Sequence, residues 1–280
     1  MSQPAVSQPA ERQPSVQLYS VRDAIDADLD RAVARVAEIG FTRVEPYAFQ
    51  LRTSDYRRAF AAHGLTAPTG HAAVIDAPDA AAIFDAASEL GIGTVIDPFI
   101  PTERWQSADS VRATAERVNE LSAEAAARGL RFGYHNHQWE FTHQIDGKPA
   151  YDFFVGLLAP EVVLEVDTFW ATVAGVDTPA VLRALGSRVH ALHIKDGKVS
   201  GDIATALPSS DSALVVPDAL RAAFENQTPA GQGDVDVAAI LRAAPHALRV
   251  VEFDAYSGDV FVGLAESLAW LRANDLSSAE

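Results

Sequence analysis

The chain has 280 residues, 48% of them hydrophobic, enough to bury one large core and the right length for a single α/β barrel. Its formal net charge of −16 repels phosphate backbones and anionic lipid heads, which argues against nucleic acid and membrane partners. The absence of cysteine excludes disulfide frameworks, thiolate metal sites and thiol nucleophiles together, and no apolar run is long enough to span a bilayer.

Residues 1–15, MSQPAVSQPAERQPS, are rich in Pro, Gln and Ser with no apolar core of a leader, so they read as a disordered tail. Residues 16–280 read as one domain, with a cytoplasmic location expected. Short β-branched runs there alternate with Ala-, Leu- and Arg-rich helical stretches. The strands fall at Val16–Ser20, Thr42–Pro46, Thr66–His71, Thr94–Pro98, Arg131–His137, Val162–Asp167, Val189–Lys195 and Leu248–Asp254. Amphipathic helices are expected at Asp28–Ile39, Ala80–Leu90, Ser110–Arg128, Thr178–Leu185 and Val260–Ala273, where apolar residues recur at three and four. Gly40, Gly64, Gly91 and Gly129 stand where helices should stop. Strict alternation implies a parallel sheet, and eight units close into a (β/α)8 TIM barrel.

One connection is long. An extended loop over about 196–236 precedes the last strand, with a lid-like stretch at Gly201–Val216 and a helix at Pro217–Asn226. Gly231-Gln232-Gly233-Asp234 then leads into a helix at Val237–Ala244. The glycines resemble a phosphate cradle, but Asp234 would oppose an anion, so a turn with Asp234 as N-cap is the expectation.

The chemistry sits at the strand ends. His135, Asp167, His193 and Glu252 each close an apolar run with an imidazole or carboxylate, the side chains that bind divalent metals. In a parallel barrel all four project from one edge, where ligand sites lie. His137, two residues beyond His135, is placed to act as a general base, and Glu140 is a rival ligand or an acid/base. Glu165, in phase before Asp167, should lie deeper as an orienter or ion-pair partner. Lys195 alternates with His193 and faces inward to meet an anion or developing enolate, whereas His190 is out of phase and should face the helices. Tyr19, Glu45, His71, Asp97 and Trp170 complete a lined pocket for a sugar, Trp170 as a wall for stacking. No GxSxG elbow and no GxGxxG after the first strand are present, which disfavours hydrolase and nicotinamide chemistry.

The segments QLYSVRD, VEPYAF, YHNHQWEF, VDTFW, HIKD, GQGDVD and VVEFD together resemble the sugar phosphate isomerase/epimerase family of the xylose-isomerase-like barrel superfamily. The resemblance implies a metal held at the ends of strands five to eight, roles that fall on His135, Asp167, His193 and Glu252. His135 stands where ketose 3-epimerases carry a glutamate, and Trp170 where they carry a substrate-binding histidine. The pattern His135-Asn136-His137 also resembles lyases that cleave 3-keto-glycosides, with His137 in the base position. The expected function is therefore a divalent-metal-dependent ketose isomerase or epimerase working through an enediolate, with Mn²⁺ first and Mg²⁺, Co²⁺ or Zn²⁺ as alternatives. A β-eliminating lyase is the nearest alternative and a non-catalytic sugar-binding barrel the alternative of another class. The expected partner is a small sugar or keto-glycoside, and homo-oligomerisation stays open.

Overall fold

Eight short parallel strands, each followed by a helix, carry the fold in the computed structural model, which describes residues 13–199 and 226–275. The strands are β1 (Ser15–Gln17), β2 (Arg43–Glu45), β3 (Thr69–His71), β4 (Thr94–Asp97), β5 (Arg131–His135), β6 (Val163–Asp167), β7 (Val189–Ile194) and β8 (Leu248–Val251). The principal helices are α1 (Leu29–Ile39), α2 (Thr53–His63), α3 (Ala80–Leu90), α4 (Ala108–Ala126), α5 (Ala150–Leu157), α6 (Thr178–Leu185), α7 (Val237–Ala243) and α8 (Val260–Asn274). Around the sheet the order is β2-β1-β8-β7-β6-β5-β4-β3. Parallel bridges from Arg43 to Thr66 and from Tyr47 to His71 close β2 onto β3, with His71 N donating to Pro46 O at 2.8 Å. The result is one nearly closed TIM barrel, as the alternation predicts.

Why these residues form these elements is visible at the caps. Asp28, Asp79, Asp177, Asp236 and Asp259 each turn a carboxylate onto a free N–H at the start of α1, α3, α6, α7 and α8. Gly40, Gly64 and Gly91 end α1, α2 and α3 with φ of 108°, 65° and 72°, the left-handed geometry that a Cβ disfavours. Val16, Val44, Val95, Phe132, Leu164, Leu192 and Val251 on the strands are buried with the apolar faces of the helices in one continuous core.

The structure corrects the sequence reading in several places. The first strand begins at Ser15, paired with Arg43 and Val250, and stops at Gln17, whose side-chain oxygen accepts from Tyr19 N at 3.0 Å and starts a tight turn over Leu18–Val21. Tyr19 therefore stands on that turn, not on the strand. The fifth strand stops at His135, and Glu140 draws the chain away by accepting from His137 N at 2.9 Å. His190 does not face the helices. The pairing of β6 with β7 slips between Leu164 and Glu165, leaving His190 as the extra residue, and its ring meets Thr94 Oγ1 at 3.1 Å on β4. Asp236, not Asp234, caps α7, while Asp234 pairs with Lys198 at 2.9 Å. The lid-like stretch Gly201–Val216 and, apart from Asn226, the helix expected at Pro217–Asn226 lie outside the described residues, as do residues 1–12 of the tail. Among the described residues no helix is long and apolar enough to cross a membrane.

Candidate metal centre and active site

The carboxyl ends of the strands deliver two connected polar clusters into the barrel. In the deeper one, Glu165 Oε2 lies 2.5 Å from His71 Nε2, 3.1 Å from His193 Nε2 and 3.3 Å from His135 Nδ1. Beside it Glu45 Oε1 accepts from Gln17 Nε2 at 2.8 Å and lies 2.8 Å from His193 Nε2 and 3.2 Å from His71 Nε2. Glu45, Glu165 and His193 have no exposed surface. Burial alone would raise the Glu165 carboxyl, but the charges of His193 and His71 and hydrogen bonds from His135 and His193 outweigh it and hold the group well below its usual range. Glu45, with the negative Glu165 beside it, is pushed the other way by burial. Glu165 thus occupies the ion-pair role its phase predicts, while Glu45 and His71 serve this enclosed network more than the open rim.

Nearer the mouth, Asp167, His193 and Glu252 each offer one ligand atom, all within 4.8 Å of one another. His193 links the two clusters, with Nδ1 2.6 Å from Glu252 Oε2 and Nε2 turned toward Glu45 and Glu165. His135 Nε2 approaches Asp167 Oδ2 at 3.7 Å, and His135 also belongs to a second group of facing ligand atoms with His71, Glu165 and His193. Lys195 Nζ, fully enclosed, lies 2.8 Å from Asp167 Oδ2, 2.6 Å from Glu252 Oε2 and 2.9 Å from both Asp254 oxygens. Burial disfavours its charge, but Asp167, Asp254 and Glu252 outweigh burial and raise the ammonium well above its ordinary value. The Asp167 carboxyl, by contrast, is pushed up to about 6 by burial, against the pull of Lys195.

The donors fit a divalent ion. Asp167, His193 and Glu252 make one mixed nitrogen–oxygen set suited to borderline and hard metals, and His71, His135, Glu165 and His193 make a second. Asp167 Oδ2 is buried without a well-aligned hydrogen bond although Lys195 stands beside it, the state of an acceptor aimed at a cation.

The other predicted site residues divide by position. The His137 side chain keeps 20% of its exposure, against 4% for His135, so of the two it is the one a substrate can reach. It stacks on Trp139 with ring centres 4.3 Å apart and meets the edge of Phe99 at 6.0 Å. Burial, and then the neighbouring His135, push the imidazole well below its ordinary value, so it is neutral, and its Nδ1 makes no hydrogen bond among the described residues. Glu140 brings no oxygen to either metal group. It is wholly enclosed, accepts from Tyr134 OH and from His137 N, and burial pushes its carboxyl up to about 8. Tyr19 stays half-exposed within the field of Asp254, Glu252 and Lys195, while Trp170 is 1% exposed with Lys195 Nζ 5.9 Å from its ring centre.

Asp97 lies 1% exposed beneath the rim and accepts from Val74 N at 2.7 Å, Ile75 N at 2.8 Å and Phe99 N at 3.1 Å, pinning the loops after β3 and β4. Burial pushes its carboxyl up to about 6 against those three donors. Asp97→Ala leaves the three donors without a partner at ~1–3 kcal/mol each, so the unfolding free energy should fall by about 3–9 kcal/mol, read from a denaturant midpoint shift.

Some working residues lie outside the sequence reading. Gln17 is polar inside an apolar strand, a signal that a partner such as Glu45 waits in the interior. Gln227 donates to Asp254 Oδ2 at 2.7 Å and accepts from Asp254 N at 2.8 Å, so it orients the carboxylate that holds Lys195. Asp196 is the largest omission. Its carboxylate accepts from Gly197 N, Gly231 N, Gly233 N and Val235 N at 2.8–3.1 Å, so the Gly231–Asp234 turn wraps the protein's own anion and not a ligand phosphate.

The profile of the xylose isomerase-like TIM barrel family matches residues 33–273. Among solved structures, a sugar phosphate isomerase/epimerase from Parabacteroides distasonis ATCC 8503 is similar at 20% identity and TM-score 0.75, covering 96% of this chain and 98% of that one. The probable 3-DHS dehydratase AsbF from Bacillus anthracis is similar at 13% identity and TM-score 0.67, covering 92% and 98%. A xylose isomerase-like TIM barrel protein from Mycobacterium smegmatis in complex with magnesium is similar at 15% identity and TM-score 0.66, covering 98% and 100%. At these identities the likeness is one of fold. No curated protein matches the chain.

Proposed function

Because the chain belongs to the xylose isomerase-like TIM barrel family, we propose that it is a divalent-metal-dependent isomerase or epimerase of keto-sugars that removes a proton next to the carbonyl. The observation that carries this reading is the convergence of Asp167, His193 and Glu252 within 4.8 Å, with the His135 ring and the Lys195 ammonium against them. Asp167, His193, Glu252 and His135 would hold the ion, with Mn²⁺, Mg²⁺, Co²⁺ and Zn²⁺ all compatible with such a set. The ion, when bound, supplies Lewis-acid polarisation of a carbonyl and stabilises negative charge on its oxygen.

The remaining steps belong to side chains. His137 is neutral, partly exposed and held at its backbone by Glu140, so its imidazole takes the α-proton. Lys195, fixed by Glu252 and Asp254, donates to the oxygen on which charge develops. Tyr19, half-exposed, lines the approach, and Trp139 and Phe99 hold the base's ring in place. The substrate reading is a small keto-sugar, handled without nucleic acid or membrane.

A second reading, β-elimination from a 3-keto-glycoside, is favoured by one specific feature. His137 is the exposed base, whereas the carboxylates that could return a proton from the other face are engaged, Glu252 with His193 and Lys195, and Glu140 with Tyr134 and His137. Elimination needs one base and an acid for the leaving group, and His137 with Lys195 can supply both.

Two measurements test these readings. After extensive dialysis the protein should retain about one equivalent of a divalent metal, and a metal-free protein that still binds sugar would instead mark a non-catalytic barrel. Ketoses and 3-keto-glycosides incubated in deuterated water and followed by NMR should then show deuterium at carbon without cleavage if the enzyme isomerises. A released aglycone identifies the lyase.

A further inference from the structure

Beneath the rim set of Asp167, His193 and Glu252, the deeper set has the make-up of an ion site of its own. His71, His135, Glu165 and His193 each offer it one ligand atom, all within 4.8 Å of one another. Facing Glu165 Oε2 are His71 Nε2 at 2.5 Å, His193 Nε2 at 3.1 Å and His135 Nδ1 at 3.3 Å. We propose that this deep set is a second station for a divalent ion, one that takes Zn²⁺ in preference to Mn²⁺ or Mg²⁺, and that the deep and rim stations share a single ion between them. The rim ion rests on the function proposed above; the deep station does not.

Geometry and charge are the first argument. Four donors at zinc's usual bond lengths stand roughly 3.3–3.5 Å apart around a tetrahedral ion. Two of the three contacts on Glu165 Oε2, at 3.1 and 3.3 Å, are close to that spacing, and the third, to His71, is a hydrogen bond that an ion would replace. His135 is 3% exposed and Glu165 not at all, yet His135 Nδ1 and Glu165 Oε1 lie buried without a well-aligned hydrogen bond. Buried polar atoms are otherwise almost always hydrogen-bonded, so a nitrogen in that state, aimed at a carboxylate, marks a place for a cation. Glu45 adds a second carboxylate, and among the described residues Glu45 and Glu165 form ion pairs with histidines alone. The rim set already has a fixed cation, because Lys195 Nζ lies 2.8 Å from Asp167 Oδ2 and 2.6 Å from Glu252 Oε2.

The second argument is the donor chemistry of the two sets. Three imidazoles and one carboxylate suit zinc, whereas two carboxylates and one imidazole suit the harder Mn²⁺ and Mg²⁺. The sets are also wired to exclude each other. His193 turns Nε2 to Glu165 at 3.1 Å and Nδ1 to Glu252 at 2.6 Å. His135 likewise turns Nδ1 to Glu165 at 3.3 Å and Nε2 toward Asp167 at 3.7 Å. A neutral imidazole carries one lone pair and one N–H, so each ring ligates through one nitrogen at a time. An ion in the deep station therefore takes His193 from the rim, and an ion at the rim takes it from the deep station.

Calorimetric titration of the protein, first freed of metal with a chelator, tests the station with Zn²⁺ and Mn²⁺ separately. One equivalent of zinc per chain is expected, bound at least tenfold more weakly in Glu165→Gln and in His71→Ala, while Mn²⁺ affinity stays within threefold. Glu252→Gln should do the reverse, keeping zinc and binding Mn²⁺ at least tenfold more weakly. Zinc added to the Mn²⁺-loaded protein should release the Mn²⁺, read from the free-ion electron paramagnetic resonance signal. A thermal melt checks each variant. Co²⁺ bound to Glu252→Gln, which leaves the deep set untouched, should give the intense visible absorption of a four-coordinate ion. Absence of saturable zinc binding overturns the inference, and so does zinc lost in Glu252→Gln but kept in Glu165→Gln, which would place it at the rim. A six-coordinate cobalt spectrum or uptake of two zinc ions per chain overturns it as well. Zinc binding of the expected pattern in a protein that binds no Mn²⁺ would support the deep station and count against the rim ion, so the two readings fail separately.

Discussion

His137→Ala should retain its metal and lose about 10²–10⁴-fold in turnover, the usual worth of a positioned general base. His135→Ala should lose the metal as well as the activity. The two histidines are two residues apart and their rings 5.2 Å apart, yet the structure assigns them opposite surroundings. His135 is enclosed between Asp167 and Glu165, at 3.7 and 3.3 Å, where its nitrogens face other ligand atoms. His137 has left the strand, stacks on Trp139 and keeps 20% of its side-chain exposure, while its Nδ1 is buried 3.9 Å from Glu140 Oε1. Metal content by mass spectrometry and turnover by proton exchange into deuterated water separate the roles. Equal metal retention in both variants would remove His135 from the ligand set and leave Asp167, His193 and Glu252 to bind alone. Unchanged turnover in His137→Ala would move the base elsewhere.

How much of this arrangement could be read from sequence depends on how local its cause is. Eight strands and their order in the chain follow from period-two apolar runs separated by helical repeats, so the barrel was legible. Asp167, His193 and Glu252 were legible for the same reason, since each is the last polar residue of an apolar strand in a sheet whose strands all run one way. The ends of strands were less so. Tyr19 and His137 continue the alternation of their runs, but Gln17 and Glu140 capture the following backbone N–H groups and turn the chain after Gln17 and His135. His190 was misplaced because a one-residue slip between neighbouring strands reverses a side chain's direction and leaves no trace in either strand's own pattern. The deep network of Glu45, His71 and Glu165 joins strands two, three and six, and its existence depends on distances across the closed barrel that no single segment encodes.

Asp196→Ala should be the most damaging substitution outside the metal cluster. The carboxylate is fully buried, with Oδ1 accepting from Gly197 N and Val235 N at 2.8 and 3.1 Å and Oδ2 from Gly231 N and Gly233 N at 2.9 Å each. Removing it leaves four donors without a partner, at ~1–3 kcal/mol each, a loss of about 4–12 kcal/mol against a total stability of ~5–15 kcal/mol. The two glycines exist for this clamp. A Cβ at Gly233 would meet Asp196 Oδ1 at 2.1 Å and Gly197 N at 2.3 Å, and Gly231 combines a φ of +79° with Trp270 at 2.0 Å. Asp196→Asn is the informative companion, because an amide keeps one acceptor oxygen and loses the other, so it should fall between wild type and alanine in a denaturant titration. Hydrogen exchange at Gly231, Gly233 and Val235 should accelerate in step with the loss. The consequence reaches the active site through the chain itself, since Asp196 follows Lys195, and a freed turn would let the ammonium drift from Asp167 and Glu252. A wild-type unfolding midpoint for Asp196→Ala would mean that these four contacts are replaced by water at no cost, and that the glycine turn holds its shape without the anion at its centre.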